Sequence, residues 1–405
     1  MATWSRDRTS AAGPPNLPRE AQLEDILDEL RRSASGFAAG FSGAYWRELD
    51  RNGQFPEAFL KAFTEFGFIS TLVPKTLGGS GLGTQAGAIL LEEIHAEGCD
   101  GAIAHAAMNA MTAFVRHGGR HLHDRWLPKI LSGRLRFLSF AVTEPDAGTD
   151  TTRIATRAVR DGDVYRLSGR KIFISHALHT DLMLVLARTT PAAQARTRTD
   201  GFSVFVVDVR ASLGHGLVAT PIETMLNHHS TELVFDDLPV PAANLVGEEG
   251  EGFRYILDGM NAERILIASE CVGDARWFVD RARRYASERK VFGRPIGQNQ
   301  GVQFPIAEVH AETAAARLMV DRAAALFDAG RPCGAEANMA KLLASRASYR
   351  AGDICLQTFG GMGFATDADV ERKFRESRLY PVAPISNNLI LSHLATHVLG
   401  MPKSF

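Results

Sequence analysis

Glu263 is a carboxylate set in an otherwise apolar helical stripe. Phe253, Ile256, Leu257, Met260 and Ile267 recur at helical steps, and Glu263 lies three residues after Met260 and four before Ile267. That period puts it on a face that is buried or lines a cleft. A lone carboxylate there has a raised pKa, which suits a base working near neutral pH. The competing reading is a solvated glutamate paired across one helical turn. Glu270, two turns further along the same face, reads as a structural group.

Other kinds of chemistry leave no trace in the sequence. There is no G-x-G-x-x-G after a strand, no G-x-x-x-x-G-K-[ST], no H-E-x-x-H and no G-x-S-x-G, so the common phosphate-loop, zinc-protease and serine-hydrolase motifs are missing. His228 and His229 are adjacent and point different ways, so no metal site is expected. Cys99, Cys271, Cys333 and Cys355 are far apart and read as buried small hydrophobes or free thiols. With 45 Lys and Arg against 46 Asp and Glu, the net charge of -1 gives no field to draw nucleic acid or anionic lipid. The apolar runs are too short to cross a bilayer, so a soluble protein without membrane insertion is expected. Its expected place is the cytoplasm, with the mitochondrial matrix as the alternative.

The elements that must position Glu263 fall in three blocks. The proline-bearing stretch 1–20 reads as a flexible arm. From 21 to 136 the apolar spacing is helical, as in Leu23, Ile26, Leu27 and Leu30, or Ile89, Leu90 and Ile94, with breaks at Pro74 and at Gly78, Gly79, Gly81 and Gly83. From 137 to 248 short strand-like runs replace it: 137–142, 164–175, 181–188, 202–209 and 231–235, with an exposed loop at 189–200 and a close at Pro239 and Pro241. From 249 to 405 helical periods return. Helices, then strands, then helices indicate an α+β chain with a β domain inserted between helical domains.

Four ordered segments give a resemblance. Residues 140–150 (FAVTEPDAGTD) are similar to the T-E-P-x-A-G-S-D segment of the flavin-dependent acyl-CoA dehydrogenases, and 169–176 (GRKIFISH) to their G-x-K-x-W-I-[ST]-N segment. Residues 287–296 (SERKVFGRPI) followed by Gln300, and 357–364 (QTFGGMGF), match two more. The resemblance runs from about Leu23 to the C-terminus.

It implies an acyl-CoA dehydrogenase-like fold: an N-terminal helical domain, a middle β domain and a C-terminal four-helix bundle, assembled as a homotetramer around FAD. Val142, Thr143, Gly148 and Thr149 would line the isoalloxazine and pyrophosphate, with Phe173 and Ser175 stacking on and hydrogen-bonding the ring. Phe173 stands where the family usually has Trp, keeping an aromatic face without the indole N–H. Arg289, Phe292, Gln300, Gln357, Gly360 and Gly361 would meet the adenine and phosphate half across the subunit interface. An arginine fork suits a pyrophosphate, and glycines permit close backbone approach. Ser386 and Asn388 match loop positions on the pyrophosphate side.

The implied reaction is α,β-dehydrogenation of an acyl-CoA thioester to the trans-2-enoyl product, with electrons passed to an electron-transfer flavoprotein. The base position commonest in the family follows an R-[DE]-x-x-x-Y run. Here that run is 375–380 (RESRLY), and the count leads to Pro384, which can neither take a proton nor donate an N–H. A subset typified by the isovaleryl-CoA and long-chain enzymes carries the glutamate on a helix directly before a CoA-contacting arginine, and Glu263-Arg264 match it. Asn261 would then meet the pantetheine. Pro384 keeps a second expectation open: the same fold with diverged oxidase, monooxygenase or desulfinase chemistry.

Overall fold

The computed structural model describes residues 17–41 and 43–403. Six helices come first: α1 (Leu17–Ala39), α2 (Gly43–Asn52), α3 (Glu57–Glu65), α4 (Gly83–Ala96), α5 (Ala102–His117) and α6 (Gly119–Leu131). Helix α1 starts at Leu17, inside the stretch read as an arm. Pro18 falls in its first turn, where a missing N–H costs nothing. Residues 1–16 of that arm lie outside the described residues. Phe37, Phe59, Phe63 and Phe68 interlock at ring distances of 5.2–6.3 Å to form the heart of this block.

The β region is an eight-stranded sheet: β1 (Phe137–Ala141), β2 (Arg157–Asp161), β3 (Val164–Ser175), β4 (Leu182–Arg188), β5 (Phe202–Asp208), β6 (Leu217–Pro221), β7 (Ser230–Pro241) and β8 (Leu245–Val246), with the short helix α7 (Val209–Ser212) after β5. The order is β6-β7-β3-β2-β4-β5-β8, and β1 pairs in parallel with β4. Strand β7 runs on through Pro239 and Pro241, where the sequence reads as a close. Its pairing with β6 begins only at Phe235, so both prolines face an open edge that needs no N–H donor.

Helix α8 (Gly252–Glu288) follows, then a small hairpin of β9 (Lys290–Val291) and β10 (Arg294–Pro295), the long α9 (Gln300–Asp328) and α10 (Gly334–Phe359), and the short α11 (Val370–Ser377) and α12 (Asn387–His393). Alanines on the facing sides, including Ala268, Ala316, Ala340 and Ala344, are fully buried and let the long helices pack closely. At 37 residues, α8 is roughly 55 Å long by its rise per residue. It crosses α4 so tightly that a Cβ on Gly273 would lie 2.3 Å from the Glu92 carbonyl oxygen. This crossing brings the charged residues of α4, α5 and α8 into one buried layer.

Candidate active site

Glu263 points toward α5, where Asn109 Nδ2 donates a 3.0 Å hydrogen bond to its Oε1. Burial pushes the Glu263 pKa up, while the charges of His105 and Arg264 and the bond from Asn109 pull against it. Arg264 Nη1 donates to Asn261 Oδ1 at 2.9 Å, one turn back. The Arg264 Nε is buried and has no partner among the described residues. A buried N–H of this kind is costly unless something accepts from it, and here that leaves a donor for a ligand. The structure puts the Arg264 and Asn261 side chains in contact on the turn that carries Glu263.

One layer deeper, His105 Nδ1 lies 2.5 Å from Glu270 Oε1. Behind this pair, His95 Nδ1 is 2.9 Å from Asp274 Oδ1, and Asp274 also meets Lys373 Nζ at 2.5 Å and the hydroxyl of Tyr380 at 3.0 Å. Burial would raise the Asp274 pKa, yet the charges of Lys373 and His95 hold it at about 2. The sequence reads Glu270 as a structural residue. His105 and Asn109 sit on another helix, more than 150 residues away in the chain, where helical period cannot tell a cavity wall from core.

The β-domain residues form a second locus. Val142 and Thr143 continue β1, and Thr143 is tied to β3 by its hydroxyl donating to Ile172 O (2.6 Å) and by Ile172 N–H donating to Thr143 O (3.0 Å). The buried Lys171 fastens this corner, donating to Val142 O at 2.8 Å and to Glu144 at 3.0 Å. Burial draws its pKa down to about 8. The β3–β7 register breaks between Lys171 and Ile174, and Phe173 sits at that bulge with φ of 56° and 60% of its surface exposed. A bulge re-aims a side chain, here turning an aromatic face outward beside Val142 and Ser175. Gly148 and Thr149 are exposed in the turn beyond, and a Cβ on Gly148 would meet nothing. An outward aromatic face beside an open turn fits a planar ring system.

Arg289, Phe292, Gln300, Gln357, Gly360 and Gly361 lie apart from Glu263 on the bundle surface, all exposed. Phe292 stands entirely clear of the chain at φ 52°, and Gly360, at the end of α10, has φ 58°. These are conformations that favour glycine and are strained for phenylalanine.

The loop after Tyr380 carries Pro384, which is exposed. Lys341, on α10, donates to Tyr380 O at 2.5 Å, Ile385 O at 2.6 Å and Asn387 Oδ1 at 3.0 Å. Ser386 caps α12 by accepting from Leu389 N–H, while Asn388 is exposed. The Ala383 N–H already donates to Leu379 O at 3.0 Å; that of Ile385 meets no acceptor among the described residues.

Comparison with known proteins gives the family. The chain matches the N-terminal, middle and C-terminal domains of acyl-CoA dehydrogenase over residues 25–134, 139–238 and 250–399. It is 34% identical over 382 residues to the acyl-CoA dehydrogenase FadE12 of Mycobacterium tuberculosis, covering 93% of this chain and 96% of that one. It is 35% identical over 394 residues to the cyclohex-1-ene-1-carbonyl-CoA dehydrogenase of Syntrophus aciditrophicus, covering 96% and 93%. The solved glutaryl-CoA complex of glutaryl-coenzyme A dehydrogenase superposes with a TM-score of 0.86 at 30% identity, over 94% of this chain and 96% of that one.

The chain therefore belongs to the acyl-CoA dehydrogenase family. It is an oxidoreductase with FAD as its cofactor. Among the described residues no helix is long and apolar enough to cross a membrane.

Proposed function

We propose that the protein dehydrogenates an acyl-CoA thioester between its α and β carbons to the trans-2-enoyl-CoA, with Glu263 as the base. The observation that carries this reading is a partly buried carboxylate, hydrogen-bonded by Asn109 and placed one residue before an arginine with a free buried N–H. FAD, when bound, supplies the hydride acceptor. Glu263 takes the α-proton, its raised pKa matching it to that task near neutral pH. Arg264 and Asn261 hold the CoA arm, and the unpartnered Ile385 N–H is the loop donor that serves the thioester carbonyl in place of position 384.

Val142, Thr143, Gly148, Thr149, Phe173, Ser175, Ser386 and Asn388 form the flavin side. Arg289, Phe292, Gln300, Gln357, Gly360 and Gly361 form the side reached from a second subunit. The exposed Phe292 and Phe364 support a homotetramer, since single-chain packing leaves both uncovered. The domain limits at 21–136, 137–248 and 249–405, the electron-transfer flavoprotein as acceptor and the cytoplasmic setting complete the proposal. A helix-borne base would make it an enzyme of the isovaleryl-CoA and long-chain type.

A groove of about 990 Å³ supports a CoA substrate. Arg153, Arg157, Arg188, Arg196 and Arg198 line it, and Arg153, Arg157 and Arg198 pair with no carboxylate among the described residues. Arg188 stacks over Phe202 at 3.9 Å, and Phe202 packs on Phe253 at the start of α8. Ten residues further on, roughly 15 Å along the helix, stands Glu263. The groove thus offers cations to the substrate's phosphates at arm's length from the base.

The test is to incubate holoenzyme with straight, branched and alicyclic acyl-CoAs and an artificial electron acceptor, then weigh the products. A thioester lighter by two hydrogens supports the proposal. Pro384 favours the second reading, diverged chemistry, and oxygen uptake with no enoyl product from any thioester would select it.

A further inference from the structure

His105 and Asn109 stand one turn apart on α5, and each meets a different carboxylate of α8, Glu270 and Glu263. The number on α5 rises as that on α8 falls, so the helices pass antiparallel and the His105–Glu270 pair is the rung beside the base. The side chains of His105 and Glu270 are 9% and 3% exposed. Glu270 also faces His95 on α4, its Oε2 being 3.9 Å from Nε2. His95 Nδ1 is committed to Asp274, so of the two imidazoles His105 makes the direct bond to Glu270, at 2.5 Å against 3.9 Å.

Glu270 of the pair is faced by His95 on α4, by Cys271 on α8 and by the Tyr380 hydroxyl. His105 is faced by Glu270 and Glu263; Glu263 is faced by His105, Arg264 and Glu270, with Asn109 as its neutral donor. Two carboxylates thus share one buried face of α8, where each opposes the ionisation of the other, and the imidazole is the group of α5 that can separate them. Arg264 is turned to Asn261 and to the ligand side.

We propose that His105, held by Glu270 as an imidazolium, is a positioning residue whose charge keeps Glu263 ionised in the free enzyme and so sets the acid edge of activity. This rests on Glu263 being the base. Burial alone would favour a neutral ring, but the charges of Glu270 and Glu263 and the short hydrogen bond outweigh it and raise the His105 pKa. In low-dielectric surroundings one such charge moves a neighbour strongly.

The experiment is the pH profile of kcat/KM, which reports the free enzyme's base. It compares wild-type holoenzyme with His105→Asn and His105→Gln, both of which keep an amide donor and lose the charge, and uses Glu263→Gln as a separate control. Removing the cation is expected to move the acid limb up by about one pH unit, about a tenfold loss of kcat/KM below the limb, with the high-pH plateau nearly kept. An unmoved limb in a flavin-loaded variant, or an equal loss at every pH, would overturn the proposal. A Glu263→Gln enzyme that still reduces its flavin with acyl-CoA would instead sink the base assignment.

Discussion

Lys341 and Ile385 are joined by a 2.6 Å hydrogen bond from the buried ammonium to the backbone carbonyl, and the same nitrogen reaches Tyr380 O. Both ends of the loop carrying Pro384 are thereby fastened to α10, which holds the Ile385 N–H in place. Replacing Lys341 by Met leaves two buried carbonyls without their donor. Bonds of this charge-assisted kind contribute about 1.5–3 kcal/mol each. We expect Lys341→Met to lower the denaturation midpoint and to reduce kcat more than it raises KM. A variant with unchanged kcat would show that the loop takes no part in the reaction.

The arginine groove predicts a difference between substrates. Arg157→Ser combined with Arg198→Ser removes two cations from its wall. KM for an acyl-CoA should rise about tenfold, an amount in line with losing one charge-assisted contact. KM for the matching acyl-pantetheine, which lacks the nucleotide phosphates, should not change. Equal effects on both thioesters would remove the groove from the substrate path.

The Asp274 cluster predicts acid lability. Its folded pKa of about 2 lies below the ordinary aspartate value, so the stabilisation is complete above about pH 4 and is lost as pH falls toward 2. Breaking the pair from one side leaves Lys373 buried without that partner, a change that costs about 3–5 kcal/mol. Asp274→Asn should therefore unfold at clearly lower denaturant at pH 7, and its stability should vary less with pH between 4 and 2. Urea unfolding across that range checks both points.

The three-block order was legible because each block keeps one period over many residues; the run at 164–175 coincides with β3, and those at 181–188 and 202–209 match β4 and β5 to within one residue. Strand β2 was not legible. Of its five residues (RAVRD) only Ala158 is buried, so it shows no alternation and reads as a loop. Strand β6 escaped for a similar reason, with Leu217 its single buried side chain. In the site, Glu263 could be singled out because helical period is local. The pairing of Asn109 with Glu263 and of His105 with Glu270 is not local, because it comes from the crossing of α5 with α8, which no local pattern encodes. The free Arg264 Nε is likewise a fact of tertiary packing.

The most direct test of the account is anaerobic titration of the holoenzyme with the acyl-CoA it turns over best, following flavin absorption in wild type and in Glu263→Gln. The account predicts that wild type bleaches while the variant binds the thioester and FAD normally and stays oxidised, its reduction slowed by at least about 10²-fold. A Glu263→Gln enzyme that bleaches at the wild-type rate would contradict it, and the base would have to be sought elsewhere.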